Sequence, residues 1–502
     1  MKKLMTLLDG VSYISNQEQQ RLAEIFVKAI RHDSRKVQKD EVFVCVAGGT
    51  MDGHRYAQSA YDNGCSVFVV EKEVSLPDDA VILKVENSRN AMAKMAYALH
   101  DHPQKKLHII GVTGTKGKTT IANLTMSVLD ALGIPTASIG TNGVTFAGET
   151  VPTGYTTPDS TELARIFAEV LEKGAKCVVM EVSSLGVKQQ RTDELTFEVG
   201  VFTNLSPDHI GPKEHPTMED YVQSKADMFA QSRFALINAD DAYASAMIDA
   251  AIKAQNEVQT FGLRSKAQLT AYDLKPWQTK NRLGVGFMSN VLGDISYFEI
   301  SQPGEFSVYN ALAVLAISRR MLGACGMAID EKKIFTALRD AVVTGRIELI
   351  PVLPDATVVI DFAHNELSFN SLFATLQAYD YKRLVVIFGS VGGRSELRRV
   401  PLGKIAAEYA DYCIITSDNP DFEDPMQIID EIAAAFKDSD TPYIKIADRK
   451  EAVEYAIRSH QPGDMIVFAG KGHEKYQLIC GVKEPFSEKE IILQTAKEMQ
   501  TV

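Results

Sequence analysis

A glycine-rich stretch has the residue types and spacing that point most directly to chemistry, Gly111-Val-Thr-Gly-Thr-Lys-Gly-Lys-Thr-Thr. It follows an apolar run typical of a strand and precedes a helical pattern over 121–132. Glycines let the backbone turn so that its N–H groups converge on phosphate oxygens, and the start of the helix adds a favourable dipole. Lys118 would reach the terminal phosphates of ATP, and the Thr119 hydroxyl would help to hold Mg²⁺.

The spacing of this loop departs from the general Walker pattern, because Val112 stands where that pattern needs a glycine. A chance cluster of glycines is the alternative, and the strand–loop–helix context argues against it. The residues expected to bind ATP here are Gly111, Thr113, Gly114, Thr115, Lys116, Gly117, Lys118, Thr119 and Thr120.

Carboxylate and imidazole groups follow two further apolar runs. Glu181 ends one run, and Asp208 and His209 follow the run that ends near Asn204. Hard oxygen ligands at strand ends suit Mg²⁺, which bridges phosphates and neutralises their charge. Taken alone, such a Glu181 or His209 is more often a helix N-cap or a hydrogen-bonded polar residue than a metal ligand, and that alternative stays open.

The elements that must position these groups are short β-branched runs, each followed by a helical pattern. Runs that are apolar on both faces indicate buried strands of a mainly parallel sheet covered by helices, which predicts an α/β fold. Ligands in such folds bind beyond the carboxyl ends of the strands, where the glycines, carboxylates and histidines of this chain gather. The predicted strands are 107–112, 177–182, 199–204, 357–362, 384–389, 412–416 and 465–470.

The length of the chain and two breaks in its pattern of strands and helices predict several domains. A chain of 502 residues is too long for one compact core. A polar, proline-containing break lies at 101–106, and a second break lies near 343–346, after a helical stretch at 307–322. Three domains are therefore predicted, at 1–105, 106–342 and 343–502.

Charge and cysteine usage exclude several classes of protein. The net charge of −12 disfavours non-specific binding to nucleic acid or to anionic membranes. Six scattered cysteines without a CxxC pair argue against a zinc site or a disulfide framework, as expected in a reducing cytosol. No apolar run approaches the roughly 20 residues of a membrane span. We expect a soluble, cytoplasmic and monomeric protein.

A series of motifs resembles the Mur ligases, ATP-dependent enzymes that join amino acids to a UDP-linked cell-wall precursor. The spacing of Gly111, Gly114 and Gly117 is similar to their ATP loop, and the likeness follows nearly the whole chain in order. It is strongest to the branch that adds the third residue of the peptide. The other motifs are Asp33-Ser-Arg, Asp52-Gly-His, Thr156-Thr-Pro-Asp, Glu181-Val-Ser-Ser, Gln189-Gln-Arg, Asn204-Leu-Ser-Pro-Asp-His, Tyr221-Val-Gln-Ser-Lys, Gly345-Arg, Asp361-Phe-Ala-His-Asn, Asp418-Asn-Pro and Gly470-Lys-Gly-His-Glu.

The resemblance implies three α/β domains: an N-terminal UDP-binding module, a central P-loop ATPase domain with a parallel sheet, and a C-terminal Rossmann-like domain that binds the amino acid. It implies that ATP phosphorylates the D-glutamyl carboxylate of UDP-MurNAc-L-Ala-D-Glu, and that an incoming amine attacks the acyl phosphate. Two Mg²⁺ ions, Lys118 and the loop amides would offset the repulsion between carboxylate and γ-phosphate.

The resemblance also assigns residues. Catalysis would rest on Lys118, Glu181, His209 and Lys225; Thr119, Glu181, His209 and a carbamylated Lys225 (N6-carboxylysine) would hold the metal ions. Further ATP contacts would be Asn310, Arg346, Asp361 and His364. The UDP-muramoyl-dipeptide contacts would be Ser34, His54, Thr156, Thr157, Ser183, Gln189 and Arg191. The amino acid would be bound by Arg394, Asp418, Asn419, Asp421, Gly470 and Glu474.

Three of these assignments have simpler alternatives. Lys225 could be an ordinary surface lysine on a helix over 218–229, since most lysines are exposed. Asn310 could cap the helix that follows it, and Asp361 could simply end a strand.

The amino acid itself is the most open point. Relatives that add meso-diaminopimelate carry an Arg after Asp-Asn-Pro, whereas this chain has Asp421, which would favour a side-chain ammonium. Glu423 and Asp424 would deepen the negative field. These features favour L-lysine or L-ornithine over meso-diaminopimelate, with the alternative that Asp421 only shapes a turn after Pro420.

Four positions differ from the residues usual in the family. Phe362 replaces Tyr, Glu366 replaces Pro, Leu185 replaces His, and Ser395 replaces the Asp that follows Arg394. These differences bear on the choice of acceptor more than on the ATP chemistry.

Two other functions compete with this interpretation. A folylpolyglutamate synthetase shares the ATP core but lacks the N-terminal module. A nucleotide-controlled switch would not require the series Glu181, His209 and Lys225 or a third domain.

Overall fold

The computed structural model describes residues 1–48, 51–207, 210–211, 214–341, 343–393 and 396–500. Its contacts divide the chain into two units. The first comprises Met1–Thr270 with Val291–Gly293 and Leu312–Ala337, and the second comprises Ala271–Asn290, Asp294–Ala311 and Leu338–Val502. The predicted boundaries near residues 105 and 342 stay predictions.

The N-terminal part of the first unit is built on a five-stranded sheet. Its outermost strand pairs antiparallel, and the other pairings are parallel. The strands lie in the order Ile14–Ser15, Val81–Lys84, Val67–Val70, Glu41–Val44 and Ala29–Arg31, and a separate antiparallel pair joins Lys2–Lys3 to Phe26–Val27.

The rest of the first unit holds the large sheet that carries the phosphate loop. Two antiparallel strands form one edge, and the following pairings are parallel. The order is Glu149–Val151, Gly143–Phe146, Thr136–Gly140, Cys177–Glu181, His108–Thr113, Phe197–Phe202, Ser232–Asn238, Glu257–Gly262 and the first residues of Leu269–Thr279.

Helices follow the parallel strands, and side-chain caps fix where several of them begin. Asp159 accepts the N–H groups of Thr161 and Glu162 at the start of Ser160–Glu172, which satisfies donors that have no partner within a helix. The α-helices of the first unit are Leu4–Leu7, Gln19–Glu24, Ala57–Asp62, Ser88–Leu99, Lys118–Ala131, Ser160–Glu172, Ser184–Lys188, Met218–Ala226 and Ala244–Lys253. Glu305–Ala324 and Glu331–Asp340 contribute residues to both units.

The second unit contains a six-stranded sheet in which all pairings but the first are parallel. Its order is Glu348–Leu349, Thr357–Asp361, Asp464–Ala469, Arg383–Phe388, Tyr412–Ile415 and Tyr443–Lys445. The antiparallel strands Leu269–Thr279, Arg282–Ser289 and Ser296–Ile300 and the hairpin Tyr476–Ile479 with Val482–Pro485 complete its strands. Its α-helices are Glu366–Leu376, Arg399–Tyr409, Pro425–Ala433, Arg449–Arg458 and Glu488–Gln500.

Alternating side chains bury both faces of the six-stranded sheet. Val386 and Phe388 pack in one apolar cluster with Leu372 and Leu402, whereas Val385 and Ile387 belong to a second cluster. Strands buried on both faces are apolar at every position, which is why the sequence predicted them as continuous apolar runs.

The predicted strands and helices are confirmed to within a few residues at their ends. The helix predicted over 218–229 is α-helical at Met218–Ala226 and continues as a 3₁₀ turn, Asp227–Gln231. The other short 3₁₀ turns are Gly53–Tyr56, Pro103–Lys105, Glu396–Arg398 and Ala434–Asp438. Among the described helices, none is long and apolar enough to cross a lipid bilayer.

Candidate active site

The glycine-rich loop connects strand His108–Thr113 to helix Lys118–Ala131. Gly114 and Gly117 have φ of 147° and 87°, a region that side chains with a Cβ rarely adopt. A Cβ on Gly114 would also overlap the Thr203 hydroxyl. Both glycines are therefore required by the path of the backbone, which confirms the predicted strand–loop–helix arrangement.

Three residues that the sequence analysis did not assign brace this loop. Asn204 Oδ1 accepts the Lys116 N–H at 3.0 Å, and Thr203 Oγ1 donates to the Lys116 carbonyl at 2.6 Å. The Tyr221 hydroxyl lies 3.2 Å from Thr115 Oγ1. Asn204 and Tyr221 begin the motifs Asn204-Leu-Ser-Pro-Asp-His and Tyr221-Val-Gln-Ser-Lys, and that position is the signal the sequence offers.

Lys118 lies over its own loop. Its Nζ donates to the carbonyls of Gly114 and Thr115 at 2.8 and 3.0 Å. The ammonium is therefore held at the loop that the sequence assigns to phosphates.

Glu181 is buried beside the loop and joined to it. Its Oε1 accepts the Thr119 hydroxyl at 2.9 Å and the Thr141 N–H at 3.0 Å. Gly140 makes room for this carboxylate, because a Cβ there would overlap Glu181 Oε1. Glu181 caps no helix, since Ser183 caps Ser184–Lys188. Gly140 and Thr141 are site residues that the sequence analysis missed.

Lys225 is buried, with 1% of its surface exposed, so its interpretation as a surface lysine is wrong. Its Nζ donates to the Gly114 carbonyl at 3.0 Å and lies 4.6 Å from the centre of the Tyr221 ring. Helix Met218–Ala226 therefore directs this side chain at the phosphate loop.

The Glu181 carboxylate and the Thr119 hydroxyl place protein oxygens together at the loop, which fits Mg²⁺ bound together with phosphates. Within the described ranges there is no cluster of three or more His, Cys, Asp or Glu side chains that could hold a metal on its own. Glu181 and the Thr119 hydroxyl would supply protein oxygens, and the remaining ligands would be phosphate and water, as Mg²⁺ prefers. His209, assigned to the second ion, lies outside the described residues.

Most of the predicted dipeptide-binding residues form one connected group. Thr157 Oγ1 donates to the Glu181 carbonyl at 3.0 Å and lies 3.0 Å from Ser183 Oγ. Arg191 donates to the Thr157 carbonyl at 2.8 Å and to Gln189 Oε1 at 2.7 Å. Because this group includes the Glu181 backbone, it adjoins the phosphate loop. Thr156, another predicted dipeptide-binding residue, lies with its hydroxyl 3.1 Å from the Thr141 hydroxyl.

His54 and Ser34 have other partners. His54 Nε2 accepts the Glu71 N–H at 3.0 Å, so Nδ1 donates to Asp52 Oδ1 at 2.6 Å. Both ring nitrogens are thereby engaged, and His54 lines a cavity of about 410 Å³ that Asp52 and Lys72 also line. Ser34 is buried, and its carbonyl accepts Asn63 Nδ2 at 2.8 Å. Their predicted role in binding UDP stays a prediction.

Two of the predicted nucleotide contacts of the second unit, Arg346 and His364, lie beside the Phe362 ring. The Arg346 guanidinium lies 4.9 Å from the Phe362 ring centre, and the rings of His364 and His473 lie 4.8 and 5.0 Å from it. Burial lowers the pKa of His473. His473 was not assigned by the sequence analysis.

The structure tests whether Asp361 simply ends a strand and whether Asn310 caps a helix. Asp361 does end a strand, and its carboxylate accepts the N–H groups of Ile347 and Ala363 at 2.8 and 2.7 Å. Burial raises the pKa of this carboxyl group. Asn310 lies inside helix Glu305–Ala324 rather than before it, so its interpretation as a cap is wrong.

Three of the predicted amino-acid-binding residues meet around a lysine that the sequence analysis did not assign. Lys471 Nζ lies 2.8 Å from Asn419 Oδ1, 2.8 Å from Glu474 Oε2 and 3.5 Å from Asp418 Oδ1. Gly470 has φ of 111° and passes close to Asp418. Arg394 lies outside the described residues.

Arg449 braces the two strand ends that carry these residues. Its fully buried guanidinium donates to the carbonyls of Ser417 and Ala469 at 3.0 and 2.9 Å. It also pairs with the buried Glu488 at 2.7 Å, and burial raises the pKa of Glu488.

Asp421 forms a turn. Its φ is 53°, and its Oδ1 accepts the Gly481 N–H at 2.8 Å. This geometry supports the alternative in which Asp421 shapes the chain after Pro420, and it leaves the selectivity hypothesis untested.

Glu423 and Asp424, from which a negative field is expected, both have partners in the structure. The buried Arg399 donates to both carboxylate oxygens of Glu423, at 2.7 and 2.8 Å, which lowers the pKa of Glu423. Asp424 caps helix Pro425–Ala433 by accepting the Met426 N–H. Arg399 also donates to Glu431 Oε2 at 2.8 Å, so one guanidinium serves two carboxylates and the expected negative field stays a prediction.

Comparisons with known proteins match this arrangement from end to end. The family model for the Mur ligase middle domain matches residues 112–318, the Mur ligase glutamate ligase domain matches 345–472, and the Mur ligase family catalytic domain matches 26–102.

Named relatives match nearly the whole chain. The UDP-N-acetylmuramoyl-L-alanyl-D-glutamate–2,6-diaminopimelate ligase of Caldanaerobacter subterraneus subsp. tengcongensis is 34% identical over 99% of this chain and 100% of its own length. That of Clostridium perfringens is 35% identical over 97% of this chain and 98% of its own. A solved structure of a ligase of the same name superposes with a TM-score of 0.71 at 27% identity, covering 97% of both chains.

The chain has a parallel-sheet α/β fold in which a phosphate loop is joined to a buried carboxylate. Together with these matches, this arrangement defines an ATP-dependent ligase. The chain belongs to the Mur ligase family, with its three-domain fold, and its full-length relatives are of the third-residue-adding type.

Proposed function

We propose that this ligase joins a diamino acid to the D-glutamyl carboxylate of UDP-MurNAc-L-Ala-D-Glu, with ATP, in cytoplasmic synthesis of the peptidoglycan precursor. The observation that carries the proposal is the contact of the Thr119 hydroxyl with Glu181 beside the predicted dipeptide-binding group. Full-length relatives named for this muramoyl dipeptide support the same substrate.

The reaction would run through an acyl phosphate. The D-glutamyl carboxylate attacks the γ-phosphorus of ATP and ADP leaves; an amine then attacks the acyl carbon and phosphate leaves. Both reacting groups of the first step are anions, so the site must offset their repulsion. Lys118 and the loop N–H groups would hold the phosphates, and Arg191 and Gln189 would hold the dipeptide.

Mg²⁺, when bound, would neutralise phosphate charge between Thr119 and Glu181. Lys225 would take part as a carbamate, formed when its neutral amine adds CO₂ and releases a proton. Its burial supports this proposal, since desolvation favours the neutral amine that carbamylation requires.

Two kinds of amino acid are candidates for the acceptor, with or without a distal carboxylate. 2,6-Diaminopimelate is supported by the names of the relatives, whereas these names give no support to L-lysine as the main substrate. L-Lysine or L-ornithine is favoured by Asp421, which stands where diaminopimelate-adding enzymes carry Arg, and by the carboxylates that follow it. The two possibilities differ by one distal carboxylate, so a direct comparison decides between them.

The experiment is phosphate release by the purified protein with ATP, Mg²⁺ and UDP-MurNAc-L-Ala-D-Glu, with each amino acid in turn. The proposal expects release that requires both the dipeptide and a diamino acid. Release with a folate and glutamate instead would indicate a folylpolyglutamate synthetase. Release without any acceptor would indicate a nucleotide switch.

A further inference from the structure

Lys471 touches three of the predicted amino-acid-binding residues, and it is fully buried. A buried ammonium is costly unless charged or polar partners surround it. Here these partners are Asp418, Asn419 and Glu474, which belong to two separate segments of the chain. The lysine therefore joins the two segments that the sequence assigns to the amino acid.

Lys471 also fixes which way the Asn419 amide points. Asn419 Oδ1 accepts from Lys471 Nζ at 2.8 Å and from the Leu478 N–H at 2.9 Å. The amide nitrogen is thereby turned to Glu474, 3.2 Å from Oε2. Without the ammonium, one of the two groups that hold the amide oxygen would be lost.

Asp418 has a carboxylate oxygen that still needs a donor. The residue is 3% exposed, and Oδ1 makes no hydrogen bond within the described part of the chain. Lys471 Nζ, at 3.5 Å, is near enough for attraction but too far for a good hydrogen bond. A buried acceptor without a donor is unfavourable, so a donor from a ligand would complete it.

Asp418, Asn419, Glu474 and Lys471 together carry a net charge of −1. Asp418 and Glu474 carry two negative charges, and Lys471 supplies one positive charge. We propose that Lys471 is a positioning residue that arranges Asp418, Asn419 and Glu474 to receive one ammonium group of the diamino acid. The proposal rests on the proposed function, and it adds a role for Lys471 in affinity for the amino acid.

The test separates acyl-phosphate formation from use of the amino acid. Hydroxylamine can replace the amino acid: its nitrogen bonds to the acyl carbon, phosphate leaves with the proton, and a hydroxamate forms. Lys471→Gln keeps a donor for the buried acceptors but removes the charge, and Lys471→Met removes both. We expect the KM for the diamino acid to rise at least about tenfold in both variants. Hydroxamate formation and the KM values for ATP and dipeptide should stay within about twofold of wild type.

Lys475→Met is the matched control, since Lys475 is an exposed lysine of the same segment, and it should behave as wild type. If Lys471→Met does not fold, Lys471→Gln decides. A folded Lys471→Gln variant with an unchanged amino-acid KM would overturn the proposal, as would a parallel loss of hydroxamate formation and ligation. Wild-type protein that forms no hydroxamate would instead refute the ligase reaction itself, and this proposal with it.

Discussion

The Thr119 hydroxyl donates a hydrogen bond of 2.9 Å to Glu181 Oε1, which joins the phosphate loop to a carboxylate 62 residues further along the chain. The contact follows from the sheet, where strand Cys177–Glu181 lies beside strand His108–Thr113 with Glu181 opposite Val112. Two groups suited to one Mg²⁺ are thus brought together by neighbouring parallel strands.

Replacing Thr119 should separate ATP chemistry from folding. Thr119→Val removes the hydroxyl at nearly constant volume and should lower kcat/KM for ligation by about 10²-fold or more. Thr119→Ser keeps the hydroxyl and should retain most activity. Phosphate release and the thermal unfolding midpoint would be measured for both. A Val variant as active as the Ser variant would contradict a role for this hydroxyl.

Lys225→Ala should abolish ligation, to below about 1% of wild type, because it removes the carbamate proposed to hold Mg²⁺. Lys225→Arg keeps a cation but cannot form the carbamate, and it should be equally inactive. Wild-type protein supplied with ¹³C-bicarbonate should show a carbamate resonance that both variants lack. An active Lys225→Arg variant, or wild-type protein without that resonance, would refute the carbamate.

Asp421 can be tested with its turn kept or lost. Asp421→Asn keeps a side chain that accepts from Gly481 and tolerates the φ of 53°, while it removes the charge. If the charge selects the acceptor, kcat/KM for lysine relative to 2,6-diaminopimelate should fall about tenfold or more in Asp421→Arg, and less in Asp421→Asn. Asp421→Arg should also cost about 1 kcal/mol of stability, because arginine disfavours positive φ. If the ratio of the two kcat/KM values is unchanged in both variants, Asp421 shapes the turn and does not select the amino acid.

His473 should make the protein less stable in mild acid. Burial lowers its pKa below the ordinary value of 6.5, so the unfolded chain binds a proton that the folded chain does not. Stability is therefore lost as the pH falls from about 6.5 towards the folded pKa. In His473→Gln, the drop in unfolding midpoint between about pH 7.5 and pH 5.5 should be smaller than in wild type. An equal or larger drop would show that His473 does not contribute.

The sequence predicted the strand ends well, since buried parallel strands are continuous apolar runs and the site residues follow them directly. Glu181 was found this way, whereas Gly114 was found from the glycine-rich motif. Partners across the fold were not predictable: nothing near Glu423 in the sequence indicates that it pairs with Arg399. Lys471 was visible in its motif, but its contacts depend on how the segment at 418–421 packs against it.

Arg449 has a consequence for the order in which the second unit folds. Its guanidinium ties two strand ends together and is itself neutralised by Glu488, 39 residues further along the chain. A buried cation without its counterion costs several kcal/mol, so these strand ends are secured only after helix Glu488–Gln500 has docked. During synthesis the segments that carry Asp418 and Gly470 leave the ribosome before that helix does. The amino-acid site would therefore form late in folding. A chain truncated before Glu488 would contain all the strands of the six-stranded sheet but would lack the counterion that secures this site.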